Sequence, residues 1–198
     1  MASAATTARE ARGAETRRRI VEAAWHVIAE RGLAGLTTRL VATRAGISHG
    51  MCHYHFQTKD DLVVAVVDHA RRYWIEPMEA ILDRPGSAAE RLDTVVVWMA
   101  EPATREVMRV HLQLMAQAEW SEGLRERMAG EYRRWQEAYV RLFEELRAEG
   151  ALADGVDAGS VGVAFATLAD GLVDQRSLRP DFDSAAIMRA FLRPVLRR

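Results

Sequence analysis

Between Leu124 and Leu146 the large side chains Leu124, Met128, Tyr132, Trp135, Tyr139, Leu142 and Leu146 recur every three or four residues. That spacing lays them along one face of an α-helix, and such a face must be covered by other elements. The same period runs through the rest of the chain, and no stretch of four to eight residues alternates as a half-buried strand does. The expected fold is all-α, with about nine helices. At 198 residues, 49% hydrophobic and 28% charged, the chain has the composition of a folded protein rather than a disordered one. No apolar run approaches the roughly 18 residues of a membrane-spanning helix.

Caps and breakers divide the pattern. Residues 1–14 are small, polar and charged, and are expected to form a disordered arm. From Thr16 onward, Ile20, Val21, Ala24, Val27 and Ile28 share a helix face that Gly32 ends. A short second helix is expected from Thr37 or Thr38 to Gly46, burying Leu40, Val41 and Ala45. A third runs from its N-cap Ser48 to about Phe56. Thr58 to Asp61 and Ser87 to Glu90 have capping-box spacing and open two more. Pro77 should weaken the first of these, and Arg84-Pro85-Gly86 breaks the chain. Pro102 separates a helix ending near Ala100 from one over 104–119. The long helix ends near Gly150, and a Gly/Asp-rich break at 153–159 precedes a helix over 160–178. Arg179-Pro180-Asp181 turns the chain into a last helix from about Ser184 towards Pro194.

Charge is unevenly distributed. Residues 1–60 carry nine bases against five acids, +4, while the remainder carries 18 bases against 23 acids, −5. A positive N-terminal segment on an acidic remainder points to a nucleic-acid-facing module. The one cysteine, Cys52, cannot form an internal disulfide, and the arginine-bearing N-terminus lacks the apolar core of a secretory signal. A cytoplasmic protein is expected.

Between Thr37 and Phe56 the economical reading is a helix-turn-helix. Ala45-Gly46-Ile47 makes the turn, with Gly46 free to take a positive φ. Ser48, His49 and Gly50 place short or flexible polar groups at the start of the second helix, where a recognition helix reaches the groove floor. Gly50 costs roughly 1 kcal/mol inside a helix, a cost that close approach of a base or phosphate would explain. Thr38, His53, Tyr54, His55 and Lys59 can bond phosphate oxygens, and Met51 can touch a thymine methyl.

The run from Thr37 to Leu62, with Gly46, Ser48, Gly50, His55-Phe56, Lys59 and Leu62 at their usual spacing, resembles the DNA-binding signature of TetR-family regulators. The segment Leu168-Ala-Asp-Gly-Leu172 and the final helix resemble the branch that includes betaine-synthesis repressors. His53 stands where that family often has Tyr, Cys52 where it has Leu, and Ile28 where Phe is common. The resemblance implies an N-terminal three-helix DNA-binding domain over 15–60 and a helical ligand-binding and dimerisation domain over 61–198. It also implies a homodimer through the last two helices, a palindromic double-stranded DNA operator, and release by a small-molecule effector. Repressor and activator remain alternatives, since both use the same DNA contacts. Trp74, Met78, Trp98, Met108, His111, Met115, Trp135 and Tyr139 supply adaptable apolar and aromatic surface for the ligand, although such residues at helical spacing also build cores.

Other chemistries find less support. His49 and His53 are one turn apart, but Cys52 and His55 point elsewhere on the same helix, so no metal is expected. Catalysis by Cys52 needs a base and an orienting third group that the spacing does not supply. Neither an enzyme nor a cofactor is expected.

Overall fold

The computed structural model describes residues 2–101 and 105–197. Among them lie α1 (Ala2–Arg31), α2 (Thr38–Ala45), α3 (His49–His55), α4 (Lys59–Leu82), α5 (Ala88–Ala100), α6 (Arg105–Ala118), α7 (Glu122–Ala148), α8 (Ala158–Leu178) and α9 (Ser184–Leu192). The all-α expectation holds. A 3-10 turn at Leu33–Gly35 had no counterpart in the periodicity, and an isolated antiparallel bridge joins Leu152 to Leu196. The separation expected at Pro102 lies outside the described residues.

The chain divides into two compact units, Met1–Arg71 with Glu106–Met128, and Arg72–Arg105 with Ala129–Arg198. This differs from the division at 60/61 that the sequence implied.

In the first unit, α1 buries Ile20, Val21, Ala24, Trp25, Val27 and Ile28, the face read from the sequence. The helix runs back to Ala2, through the segment expected as a disordered arm. Alanine and arginine, both strong helix formers, fill much of that stretch. Thr37 caps α2 by accepting from Leu40 N, and Gly46 closes it with φ 65° and ψ 38°. Helix α6 is tied to α1 and to the 3-10 turn that follows it. Trp25 Nε1 donates to Glu106 Oε1 at 2.7 Å, and His26 Nδ1 lies 2.7 Å from the same oxygen. Two turns on, Gln113 Oε1 accepts from Leu33 N at 3.1 Å.

The second unit has its own core, in which Met78, Leu92, Val95, Trp135, Tyr139, Phe143, Phe165 and Met188 are buried. Helix α5 opens with the expected capping box at Ser87 and Glu90. Its first amide, Ala88 N, also donates to Glu149 Oε1 at 2.9 Å, joining α5 to the residue just beyond the end of α7. Helices α7 and α8 approach so closely that a Cβ on Gly162 would stand 2.6 Å from Val140 Cα. Pro77 does not interrupt α4. The missing amide costs one helical bond, and burial of Ile75, Met78 and Ile81 on either side compensates.

Candidate nucleic-acid interface and aromatic site

Helix α3 is only seven residues long, so its orientation comes from anchors rather than intrinsic helicity. Cys52 is fully buried beneath it and Phe56 nearly so. Arg17 of α1 stacks its guanidinium 4.8 Å over the Phe56 ring, and Arg19 donates to the Ala45 carbonyl at the end of α2. These two arginines, read from the sequence only as positive charge, brace the helix-turn-helix from behind. Ser48 caps α3, its Oγ accepting from Met51 N at 3.2 Å.

With Cys52 and Phe56 turned inward, Ser48, His49, Gly50, Met51, His53 and Tyr54 are exposed. Tyr54 is 77% exposed and Met51 45%, which is unusual for large side chains. His55 is half-buried, its ring edge-on to Tyr54 at 5.3 Å. Thr38 Oγ1 and His49 Nε2 lie 3.0 Å apart, so the first residues of α2 and α3 hold each other. Lys59 is engaged differently from the phosphate anchor expected of it. Its Nζ donates to the Leu33 carbonyl at 2.6 Å, tying the start of α4 to the 3-10 turn. Burial pushes the Cys52 thiol up, the opposite of what a nucleophile needs.

The residues expected to serve a ligand fall into two sets. Met108, His111 and Met115 belong to the first unit. There Met108 is buried in the α6 face, His111 is half-buried and Met115 is exposed. Trp74, Met78, Trp98, Trp135 and Tyr139 all join the core of the second unit. The rings of Trp98 and Trp135 are 6.2 Å apart, and Tyr139 meets Trp135 edge-on at 5.1 Å. Tyr139 also meets Phe165 of α8 at 4.9 Å, so the rings form one continuous chain from α5 through α7 to α8. A groove of about 370 Å³ lies elsewhere on α7, lined by Arg133, Gln136, Glu137, Val140, Arg141 and Val163. Sequence reasoning placed no ligand residue there.

Asp170 was read only as part of the Leu168–Leu172 segment, yet it has the most perturbed carboxyl described. Burial, and then the charge of Asp174, push it up to about 7. Its presence in turn helps raise the hydroxyls of Tyr132 and Tyr139, which burial already pushes up.

A profile of bacterial regulatory proteins of the tetR family matches residues 20–66, and one of BetI-type transcriptional repressors, C-terminal part, matches residues 88–198. The chain belongs to the TetR family. This TetR-family transcriptional regulator is 26% identical to the HTH-type transcriptional regulator BetI of Brucella anthropi over 172 residues, 86% of each chain. An HTH-type regulator of Mycobacterium bovis is 48% identical over 50 residues, 25% of this chain and 27% of that one. A transcriptional regulator from Saccharomonospora viridis, solved in complex with choline, matches with a TM-score of 0.80 at 25% identity, over 93% of this chain and 100% of that one. A TetR regulator from Haloarcula marismortui shares the fold, with a TM-score of 0.79 at 21% identity over 93% of this chain and 100% of that one. Members of this family are regulators rather than enzymes, and none of the described helices is long and apolar enough to cross a membrane.

Proposed function

We propose that this TetR-family regulator is a homodimeric repressor that binds a palindromic operator through its helix-turn-helix and leaves it when a small organic cation binds the second unit. The observation that carries the reading is the outward face of α3. Ser48, His49, Gly50, Met51, His53 and Tyr54 are exposed together on a helix held from behind by Cys52, Phe56 and Arg17. In this reading His49, Gly50 and Met51 meet base edges, while Thr38, Ser48, His53, Tyr54 and His55 meet phosphates. Lys59 adds its charge near the backbone while it holds Leu33. A two-fold dimer through α8 and α9 would set two such helices about 34–36 Å apart, one turn of B-DNA.

The ligand class follows from the rings of the second unit. Trp98, Trp135 and Tyr139 offer the π-faces that attract a quaternary ammonium, and the Saccharomonospora viridis relative holds choline. Effector binding would favour a dimer whose recognition helices are mis-spaced for the operator.

The test is retardation of a duplex taken from beside the protein's own coding region, against an unrelated duplex, over a salt series. Saturable preference for the first is expected. It should weaken roughly tenfold in Tyr54→Ala, as loss of a charge-assisted bond implies, and should fall on addition of choline. Equal binding to both duplexes would defeat the operator reading, and retardation indifferent to choline would defeat the effector reading.

A further inference from the structure

The aromatic face of α7 carries two features that a plain core would not. Trp135 is 94% buried by its 6% exposure, yet its Nε1 has no hydrogen-bond partner among the described residues. Buried indole N–H groups nearly always have one. One turn on, the fully buried Tyr139 hydroxyl meets only a weak acceptor, the Met99 sulfur, at 3.8 Å. Tyr132, Trp135 and Tyr139 are spaced three and four apart, so they share one side of the helix.

On α8, five residues beyond the Phe165 ring that meets Tyr139, stands Asp170, which is half-buried and makes no hydrogen bond or ion pair among the described residues. It lies close enough to Tyr132 and Tyr139 to act on both hydroxyls. Arg176, further along α8, donates to Ser184 Oγ at 3.4 Å and forms no ion pair with Asp170 among the described residues. Asp174, one turn on in α8, is a like charge. On α9, Asp183 and Arg189 are exposed. On α5, Arg91 is engaged by Glu145. A carboxyl raised to about 7 is mostly protonated in the empty protein below that pH, and an arriving cation favours its ionised form.

We propose that Asp170 is the counter-ion that selects a cationic effector over a neutral one of the same shape. This deepens the effector reading above and rests on it. The matching ligand is a small organic cation bearing an oxygen acceptor. Its positive centre sits against the rings and the Asp170 carboxylate, and its oxygen accepts the idle Trp135 N–H. The step balances as an exchange: the cation enters, the Asp170 O–H bond breaks, and one proton leaves to solvent. Because the carboxyl titrates at about 7, binding tightens as pH rises through that value and levels off above it.

The experiment is titration calorimetry on the full chain with choline chloride, at about pH 6 and about pH 8, in buffers of differing ionisation enthalpy. The uncharged carbon isostere of choline, 3,3-dimethylbutan-1-ol, is the comparison ligand. For the natural protein, choline should bind about tenfold tighter at the higher pH, with proton release at the lower, the change expected for a group half-titrated between them. Asp170→Asn should lose roughly tenfold or more in choline affinity, together with the pH dependence and the proton release, while the neutral isostere binds as before. The buffer comparison on the natural protein reads the same exchange without the variant, should that fail to fold. Choline binding with no proton release, and equal affinity in Asp170→Asn, would overturn the role of Asp170 and leave the effector reading standing. No binding of choline at either pH would overturn both.

Discussion

A glycine at the second position of α3 makes no sense for the chain alone. A Cβ on Gly50 would meet nothing within 4 Å, and its φ is not in the left-handed region, so neither packing nor backbone conformation requires it. An alanine there would favour the helix by about 0.5–1 kcal/mol. In the proposed operator complex the missing side chain leaves room for the DNA to approach α3. Gly50→Ala should raise the melting temperature by a few degrees and yet weaken operator binding at least severalfold. A variant that is more stable and binds equally well would remove Gly50 from the interface. At this scale the sequence was informative wherever the chemistry is local. Ser48 as a cap and Gly46 in the left-handed region both follow from neighbours within four residues. The Lys59 contact with Leu33 spans 26 residues, and the burial that perturbs Asp170 is imposed by the elements around it, so neither had a local signature.

Helix–helix contacts depend on a different kind of glycine. Gly162 faces the Val140 backbone, where a Cβ would lie 2.6 Å from Cα and 2.9 Å from N. Those are main-chain atoms of a 27-residue helix, so they cannot swing aside as a side-chain tip would. Gly162→Ala should cost about 1–3 kcal/mol despite its better helix propensity, the usual penalty of overpacking. Paired with Gly171→Ala, which meets nothing within 4 Å, it separates close approach from propensity, since both lie in α8 and only one touches a neighbour. Calorimetric or thermal melts that rank the two variants equally would defeat that account of α7–α8 packing. Both glycines appeared in the sequence as small residues of one helix, and nothing in their spacing told them apart. Capping boxes and glycine stops marked the helix ends well, while Pro77 was a poor guide because burial around it outweighs the single lost bond.

The division into two compact units follows contacts rather than helix ends. The chain crosses between the units at Arg71/Arg72 inside α4, at Arg105/Glu106 at the start of α6 and at Met128/Ala129 inside α7. Pro102 precedes the second crossing and Gly130 follows the third, but neither Arg71/Arg72 nor the α7 crossing interrupts its helix. The sequence placed the break at 60/61, where the caps are. The dimer proposed through α8 and α9 makes a prediction at this scale. Along the last two helices Val163, Leu178 and Ile187 are exposed, Leu178 by 79%, although each would gain by burial. A two-fold pairing repeats the same patch on both subunits, so one substitution alters the interface twice. Leu178→Asp puts two like charges into that contact and should shift the protein from dimer to monomer in sedimentation at micromolar concentration. Its α-helical circular dichroism should stay unchanged, since Leu178 is 79% exposed at the last position of α8. Operator affinity should fall far more than for any single α3 contact, because one half-site then binds without the other. A Leu178→Asp protein that remains dimeric would put the pairing on another face of the second unit.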